Sequence, residues 1–153
     1  MTTTLRAGEK AGDFTLKDQH DQEVRLSGLL GRKVLLSFHP LAWTSVCAEQ
    51  MKALEANKEK FAALGATALG ISVDTVPSKN AWAKELGIKE TALLSDFWPH
   101  GACAKAFGIF REANGFSERA NIFLDEEHRI KLIKIYPISE LPDIEEVLAA
   151  LRT

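Results

Sequence analysis

The chain has 153 residues, of which 46% are hydrophobic and 26% charged, and its formal net charge is -2. This composition is ordinary for a soluble globular protein with a substantial core, and it excludes a disordered or fibrous protein. Acidic and basic residues are interleaved and give no large basic surface, which argues against nucleic acid as a partner.

The N-terminal residues lack the apolar stretch of a secretory signal. No run elsewhere approaches the roughly 20 apolar residues that a membrane-spanning helix needs. We therefore expect a cytoplasmic protein that has no membrane partner. Its two cysteines, Cys47 and Cys103, are too few for a disulfide framework, so each is either a buried core residue or a catalytic thiol.

The first elements form a hairpin followed by a strand, a helix and a second strand. Apolar residues alternate on either side of a polar turn at residues 17–22, which predicts the β-hairpin. Apolar runs at Lys33–Phe38 and Thr67–Val73 predict buried strands. The helix between them has one apolar face, made of Met51, Leu54, Phe61 and Leu64.

The middle of the chain continues this alternation. A helix is predicted from about Ser78, a third strand at Thr91–Leu94 and a short helix at Ala102–Phe107. Strands that alternate with helices pair in parallel, because each helix returns the chain to the same edge of the sheet. Part of the sheet is therefore predicted to be parallel.

The last third contains two strands and a helix. Ala120–Asp125 and Arg129–Ile135 are predicted to pair antiparallel across a polar turn, and a helix with an apolar face follows Pro142. The element order predicts an α/β, thioredoxin-like fold with an N-terminal β-hairpin extension and a central mixed sheet flanked by helices. Because no repeat or linker divides the sequence, residues 1–153 are predicted to be one domain.

Cys47 lies where the strand at 33–38 leads into a helix. The unpaired N–H groups and the positive end of the dipole at a helix start favour a thiolate over a thiol. A cysteine at such a junction is more often a small buried hydrophobic residue, so its position alone does not establish a function. Around it, however, Pro40, Thr44 and Cys47 have the spacing Pro-x-x-x-Thr-x-x-Cys, in which the threonine could also act as an N-cap.

This spacing closely resembles the signature of the peroxiredoxins, thiol peroxidases that reduce hydrogen peroxide and organic hydroperoxides. The resemblance covers nearly all of the chain and is strongest to the short alkyl hydroperoxide reductase E and bacterioferritin comigratory protein types. It implies that the Cys47 thiolate attacks the peroxide and becomes a sulfenic acid. It also implies that the Thr44 hydroxyl holds the thiolate and the peroxide, and that Pro40 shields the site from water.

Peroxiredoxins use an arginine from a later strand, and the segment Ser117–Asp125 resembles the one that carries it. The resemblance therefore assigns Arg119 to the site, where its charge would stabilise the thiolate and the leaving oxygen. Gln50 departs from the family, in which many members have a glutamate that orients the arginine at this position. Because glutamine also accepts hydrogen bonds, we expect Gln50 to support and tune Arg119.

Cys103 has two interpretations. In one it is a resolving thiol that attacks the Cys47 sulfenic acid, as a cysteine on the equivalent helix does in some short peroxiredoxins. In the other, slightly favoured one, it packs in the core, and an external thiol reduces Cys47. That reductant would be thioredoxin, a glutaredoxin-like protein or a low-molecular-weight thiol. The long C-terminal arm of typical two-cysteine members is not expected, which favours a monomer or a homodimer.

Other functions fit the sequence less well. A dithiol oxidoreductase needs Cys-x-x-Cys, but position 50 is glutamine. The four histidines are scattered and neither cysteine has a partner at metal-ligand spacing, so no metal and no cofactor are expected. The main alternative is a non-enzymatic redox sensor that passes the oxidation of Cys47 to a partner protein by disulfide exchange.

Overall fold

The structure is a computed structural model that describes residues 4–153. The prediction that the N-terminus has no signal includes residues 1–3, which lie outside the described range. Within that range the strands are β1 (Thr15–Lys17), β2 (Glu23–Arg25), β3 (Lys33–Phe38), β4 (Ala66–Ser72), β5 (Ala92–Ser95), β6 (Phe110–Arg111), β7 (Phe116–Ser117), β8 (Arg119–Leu124) and β9 (Ile130–Tyr136). The α-helices are α1 (Ser45–Ala56), α2 (Lys58–Ala63), α3 (Val76–Leu86), α4 (Ala102–Ala106) and α5 (Ile144–Leu151).

Seven of these strands form a mixed sheet in the order β2-β1-β5-β4-β3-β8-β9. Strand β4 pairs in parallel with β3 and β5, as the alternation of strands and helices predicts. Strand β8 pairs antiparallel with β3 and β9, and the N-terminal hairpin adds β1 and β2 beyond β5. The predicted α/β, thioredoxin-like fold with a hairpin extension is confirmed.

The sheet separates two hydrophobic cores. Neighbouring residues of β3 point to opposite faces, so Leu35 packs in one core while Leu36 packs in the other. The core around Leu35 is covered by α1, α2, α3 and α5 and contains Cys47. The core around Leu36 is covered by α4 and contains Cys103. The two cysteines therefore lie on opposite faces of the sheet.

Two local predictions need correction, and one short pair of strands was missed. The single helix expected between β3 and β4 is two helices, because Asn57 leaves helical geometry at φ -109° and ψ 15° and its side-chain amide donates to the Ala53 carbonyl. Helix α3 begins at Val76 rather than near Ser78, since the Thr75 hydroxyl caps it by accepting from the Ser78 N–H. The short antiparallel pair of β6 and β7 was not predicted.

Among the described residues, no helix is long and apolar enough to cross a membrane.

Glu55 fixes the C-terminal end of α1, the helix that carries Cys47. Its carboxylate accepts hydrogen bonds from the backbone N–H groups of Lys89, Glu90 and Thr91, at 2.8 to 3.3 Å. Burial raises the pKa of Glu55, but the backbone donors together lower it to about 2, from an ordinary value of 4.5. The ionised carboxylate therefore joins α1 to the segment that precedes β5.

We expect Glu55→Gln to lower the free energy of unfolding at pH 7 by about 1 to 3 kcal/mol, because an amide replaces a charged acceptor. The pKa of Glu55 is depressed in the folded protein, so its contribution is present above pH 4.5 and is lost as the pH falls toward 2. Urea unfolding at several pH values should show the difference between the two proteins shrinking over that range. Glu49→Gln is the control, because Glu49 lies on α1 with an exposed side chain and forms a surface ion pair with Lys52 at 2.9 Å. A constant difference across the range would contradict the assignment.

Candidate active site

The candidate site lies where β3 ends and α1 begins. Pro40 is the second residue after the strand and is buried. Cys47 is in the first turn of α1, as predicted, and its side chain is completely buried. The first N–H groups of a helix have no carbonyl partners within the helix, so this end of α1 provides donors and a positive potential near the thiol.

Thr44 is the residue before α1, but its side chain does not cap the helix. The hydroxyl donates instead to the Leu41 carbonyl at 2.8 Å, within the loop that contains Pro40. The N-cap position was predicted correctly, and the capping hydrogen bond was not. Because the Thr44 hydroxyl is exposed and already has an acceptor for its proton, its oxygen is free to accept a hydrogen bond from a small molecule in that loop.

Arg119 reaches Cys47 from β8, the strand that pairs with β3. It is the first residue of β8, and its side chain is only 2% exposed. One guanidinium nitrogen donates to the Cys47 sulfur at 3.3 Å and to the Gln50 side-chain oxygen at 2.7 Å. The Nε donates to the Ile138 carbonyl at 2.9 Å. These hydrogen bonds hold the planar guanidinium group in place from two sides and set its positive charge beside the Cys47 thiol.

Gln50 links Arg119 to the sheet. Its side-chain oxygen accepts from Arg119, while its nitrogen donates to the Ser37 hydroxyl at 2.7 Å and to the Phe38 carbonyl at 3.2 Å. Ser37 in turn donates to Asn121 at 2.8 Å. A carboxylate could accept from the arginine but could not make the donating contact to a carbonyl. This network therefore suits the amide found at position 50.

Asp74 holds the loop that leads into α1. Its carboxylate accepts from the Ala42 N–H at 2.8 Å and from the Ser72 hydroxyl. Asp74 follows β4, so the carboxylate connects the end of a central strand to the loop between Pro40 and Thr44. Asp74 is not recognisable from the sequence, because an aspartate after a strand is common at turns.

His39 and Lys79 form a buried pair that the motifs of the sequence do not predict. Both are completely buried, and the Lys79 Nζ lies 2.8 Å from the His39 Nε2. His39 follows β3 and directly precedes Pro40, whereas Lys79 is on α3, three residues before the buried Trp82. Residues three apart lie on the same face of a helix, so the position of Lys79 relative to Trp82 is the sequence signal that could have identified the lysine.

Cys103 lies apart from this site. It is on α4, 5% exposed, in the core on the other face of the sheet. The Asp96 carboxylate accepts from the backbone N–H groups of Cys103 and Ala104 at 2.9 and 3.0 Å. Burial, and then the charge of Asp96, raise the pKa of the Cys103 thiol well above its ordinary value of 9.0. This environment keeps the thiol protonated at neutral pH.

Comparison with known proteins gives consistent similarities. A sequence model of the AhpC/TSA family matches residues 7–133. The chain is 39% identical to alkyl hydroperoxide reductase E of Mycobacterium tuberculosis over 140 residues, which is 91% of each protein. It is 32% identical to the chloroplastic 2-Cys peroxiredoxin BAS1 of Hordeum vulgare, over 95% of this chain and 73% of that protein. The crystal structure of peroxidoxin BcpB from Mycobacterium tuberculosis superposes with a TM-score of 0.84 at 27% identity, and 97% of each chain is covered.

Proposed function

Because the chain belongs to the AhpC/TSA family and is therefore a peroxiredoxin, a thiol-dependent peroxidase, we propose that Cys47 is the residue that attacks the peroxide. The observation that carries this assignment is the 3.3 Å contact between the Arg119 guanidinium and the Cys47 sulfur, at the start of α1. A fixed positive charge and a helix start both favour the thiolate, which is the nucleophilic form.

In the proposed reaction the thiolate attacks one peroxide oxygen in line with the O–O bond. The S–O bond forms while the O–O bond breaks, and the leaving oxygen develops negative charge before it takes a proton. Arg119 and the first N–H groups of α1 are the donors that stabilise this charge. The Thr44 oxygen accepts a hydrogen bond from the protonated peroxide oxygen, and Pro40 keeps bulk water from the sulfenic acid product.

We further propose that one cysteine completes the cycle together with an external thiol. Cys103 lies on the other face of the sheet, in an environment that disfavours its thiolate. A resolving cysteine attacks the sulfenic acid directly as a thiolate, so the separation of the two cysteines by the sheet supports reduction by an external thiol. The reductant would be thioredoxin, a glutaredoxin-like protein or a low-molecular-weight thiol. The relatives named above are reductases or peroxidases, which supports turnover over the redox-sensor alternative.

The intact mass of the reduced protein after one equivalent of hydrogen peroxide tests both proposals. We expect the mass to increase by one oxygen atom, with the same increase in Cys103→Ser and none in Cys47→Ser. An increase in the Cys47→Ser protein would contradict the assignment of the nucleophile. Loss of two hydrogens from the wild-type protein, with Cys103→Ser stopping at the sulfenic acid, would instead make Cys103 the resolving residue.

The remaining predictions from the sequence belong to the same proposal. The chain acts as a single domain in the cytoplasm, as a monomer or a homodimer, and analytical ultracentrifugation would determine which. Its substrates are a peroxide and a thiol, with no nucleic acid, membrane, metal or organic cofactor involved. The class of the physiological reductant would be identified by measuring which candidate, thioredoxin, a glutaredoxin-like protein or a low-molecular-weight thiol, restores turnover most rapidly.

A further inference from the structure

Lys79 is a buried lysine next to the candidate active site, and the reaction described above does not use it. Its Nζ makes a 2.8 Å hydrogen bond with the His39 Nε2, and both side chains are completely buried. The indole of Trp82 covers the pair, with its ring centre 5.4 Å from the imidazole and 5.5 Å from the Lys79 Nζ. Trp82 and Cys47 pack in the same hydrophobic core. The pair is therefore a closed polar site within the core that holds the nucleophile.

Charged groups face this pair from several elements. Burial lowers the pKa of Lys79 to about 7 from an ordinary value of 10.5, against the opposing charges of Asp74, which follows β4, and Cys47 on α1. Burial, and then the charge of Lys79, lower the pKa of His39 well below 6.5, and Arg119 on β8 lowers it further. The Ser37 carbonyl, 3.4 Å from the His39 Nδ1, acts in the opposite direction.

The two contacts of the His39 ring fit a neutral imidazole beside a protonated lysine. A neutral His39 that donates from Nδ1 to the Ser37 carbonyl presents a lone pair on Nε2, which accepts from Lys79. One titratable proton then belongs to the pair, and it lies on the lysine. A buried ammonium is expensive to desolvate unless an anion is nearby, so its protonation depends on whether Cys47 carries a negative charge.

We propose that the Lys79–His39 pair stores a proton for Cys47, holding it while Cys47 is a thiolate and releasing it when Cys47 is oxidised. This inference rests on the proposed role of Cys47. The thiolate, the ammonium of Lys79 and a hydroperoxide become a sulfenic acid, a neutral amine and an alcohol, or water when the substrate is hydrogen peroxide. Sulfur is oxidised, the O–O bond is reduced, and the proton released by the lysine balances the one that the leaving oxygen gains. Lys79 is thus a positioning residue that acts through the charge of Cys47.

Proton uptake during oxidation tests this proposal. Reduced protein in weak buffer with a pH indicator at pH 6.5, below the pKa of about 7 that Lys79 has beside the charge of Cys47, receives one equivalent of hydrogen peroxide, and the protons taken up are counted per Cys47 oxidised. We expect the wild-type protein to take up less than about half a proton, because Lys79 supplies the rest. Lys79→Arg should take up about one, since arginine retains its proton. Lys84→Arg, at an exposed position of α3, is the control and should behave like the wild type.

A second variant measures the effect of the charge on the thiol. Lys79→Met keeps the length of the side chain but removes its positive charge, so iodoacetamide should alkylate Cys47 several times more slowly than in the wild-type protein at pH 7. Equal proton uptake by wild type and Lys79→Arg would overturn the proposal, even if Lys79→Met failed to fold. If the intact mass showed that Cys47 gains no oxygen, the proposed function would fail instead.

Discussion

Cys47→Ser is expected to reduce hydrogen peroxide more slowly than the wild-type protein by at least about four orders of magnitude, as is typical when a catalytic nucleophile is removed. A serine hydroxyl beside Arg119 stays protonated at neutral pH and is a poor nucleophile toward an O–O bond. The hydroxyl can still accept a hydrogen bond from the guanidinium, which the Cys47 sulfur contacts at 3.3 Å. The variant should therefore fold, and stopped-flow consumption of peroxide in the presence of a thiol reductant measures the loss.

Cys103→Ser is the matched control for this prediction. Cys103 is also buried, so the two variants place the same hydroxyl in the core, on opposite faces of the sheet. We expect the Cys103→Ser protein to keep its rate within about threefold. Peroxide reduction by Cys47→Ser at more than a hundredth of the wild-type rate would be incompatible with Cys47 as the nucleophile.

Arg119→Met is expected to slow peroxide reduction by about 10² to 10³, the range found when a donor to a developing negative charge is removed. The same nitrogen donates to both Cys47 and Gln50, so the variant loses the charge and the fixed geometry together. Arg119→Lys should recover only part of the rate, because one ammonium cannot reproduce the fork that also donates to the Ile138 carbonyl. Steady-state kinetics with hydrogen peroxide, alongside thermal melts of each variant, give the comparison.

Arg111→Met is the control for Arg119. Arg111 lies a few residues earlier, is about two-fifths exposed, and pairs with Glu118 at 3.0 Å. Its loss should change the rate by less than about twofold and the stability by less than about 1 kcal/mol. If Arg119→Met kept the wild-type rate in a folded protein, the stabilising role of the guanidinium would have to be abandoned.

Much of the fold was predictable because its signals are local. The hairpin, the central strands and α5 each have an apolar pattern of the correct period within one short segment. The break at Asn57 was not visible, since α1 and α2 pack on the same face of the sheet and their apolar residues form one uninterrupted pattern. Strands β6 and β7 have two residues each, which is too short for alternation to be read.

The candidate site shows the same distinction between local and tertiary information. Pro40, Thr44 and Cys47 lie in one short segment, so their spacing identifies them, and the family resemblance adds Arg119. The direction of the Thr44 hydroxyl depends on how the loop bends back to Leu41, which spacing does not determine. Lys79 would ordinarily be assigned to the surface. Its burial arises only when α3 packs beside the end of β3.

The separation of the two cysteines by the sheet determines the order of events in a catalytic cycle. In the proposed one-cysteine cycle, with Cys103 on the far side, every reducing equivalent has to reach the same Cys47 sulfur that the peroxide oxidises. Peroxide and reductant then react at one sulfur in turn, and the first product leaves before the second substrate reacts. Such a cycle is expected to have ping-pong kinetics, in which the protein alternates between a reduced and an oxidised form.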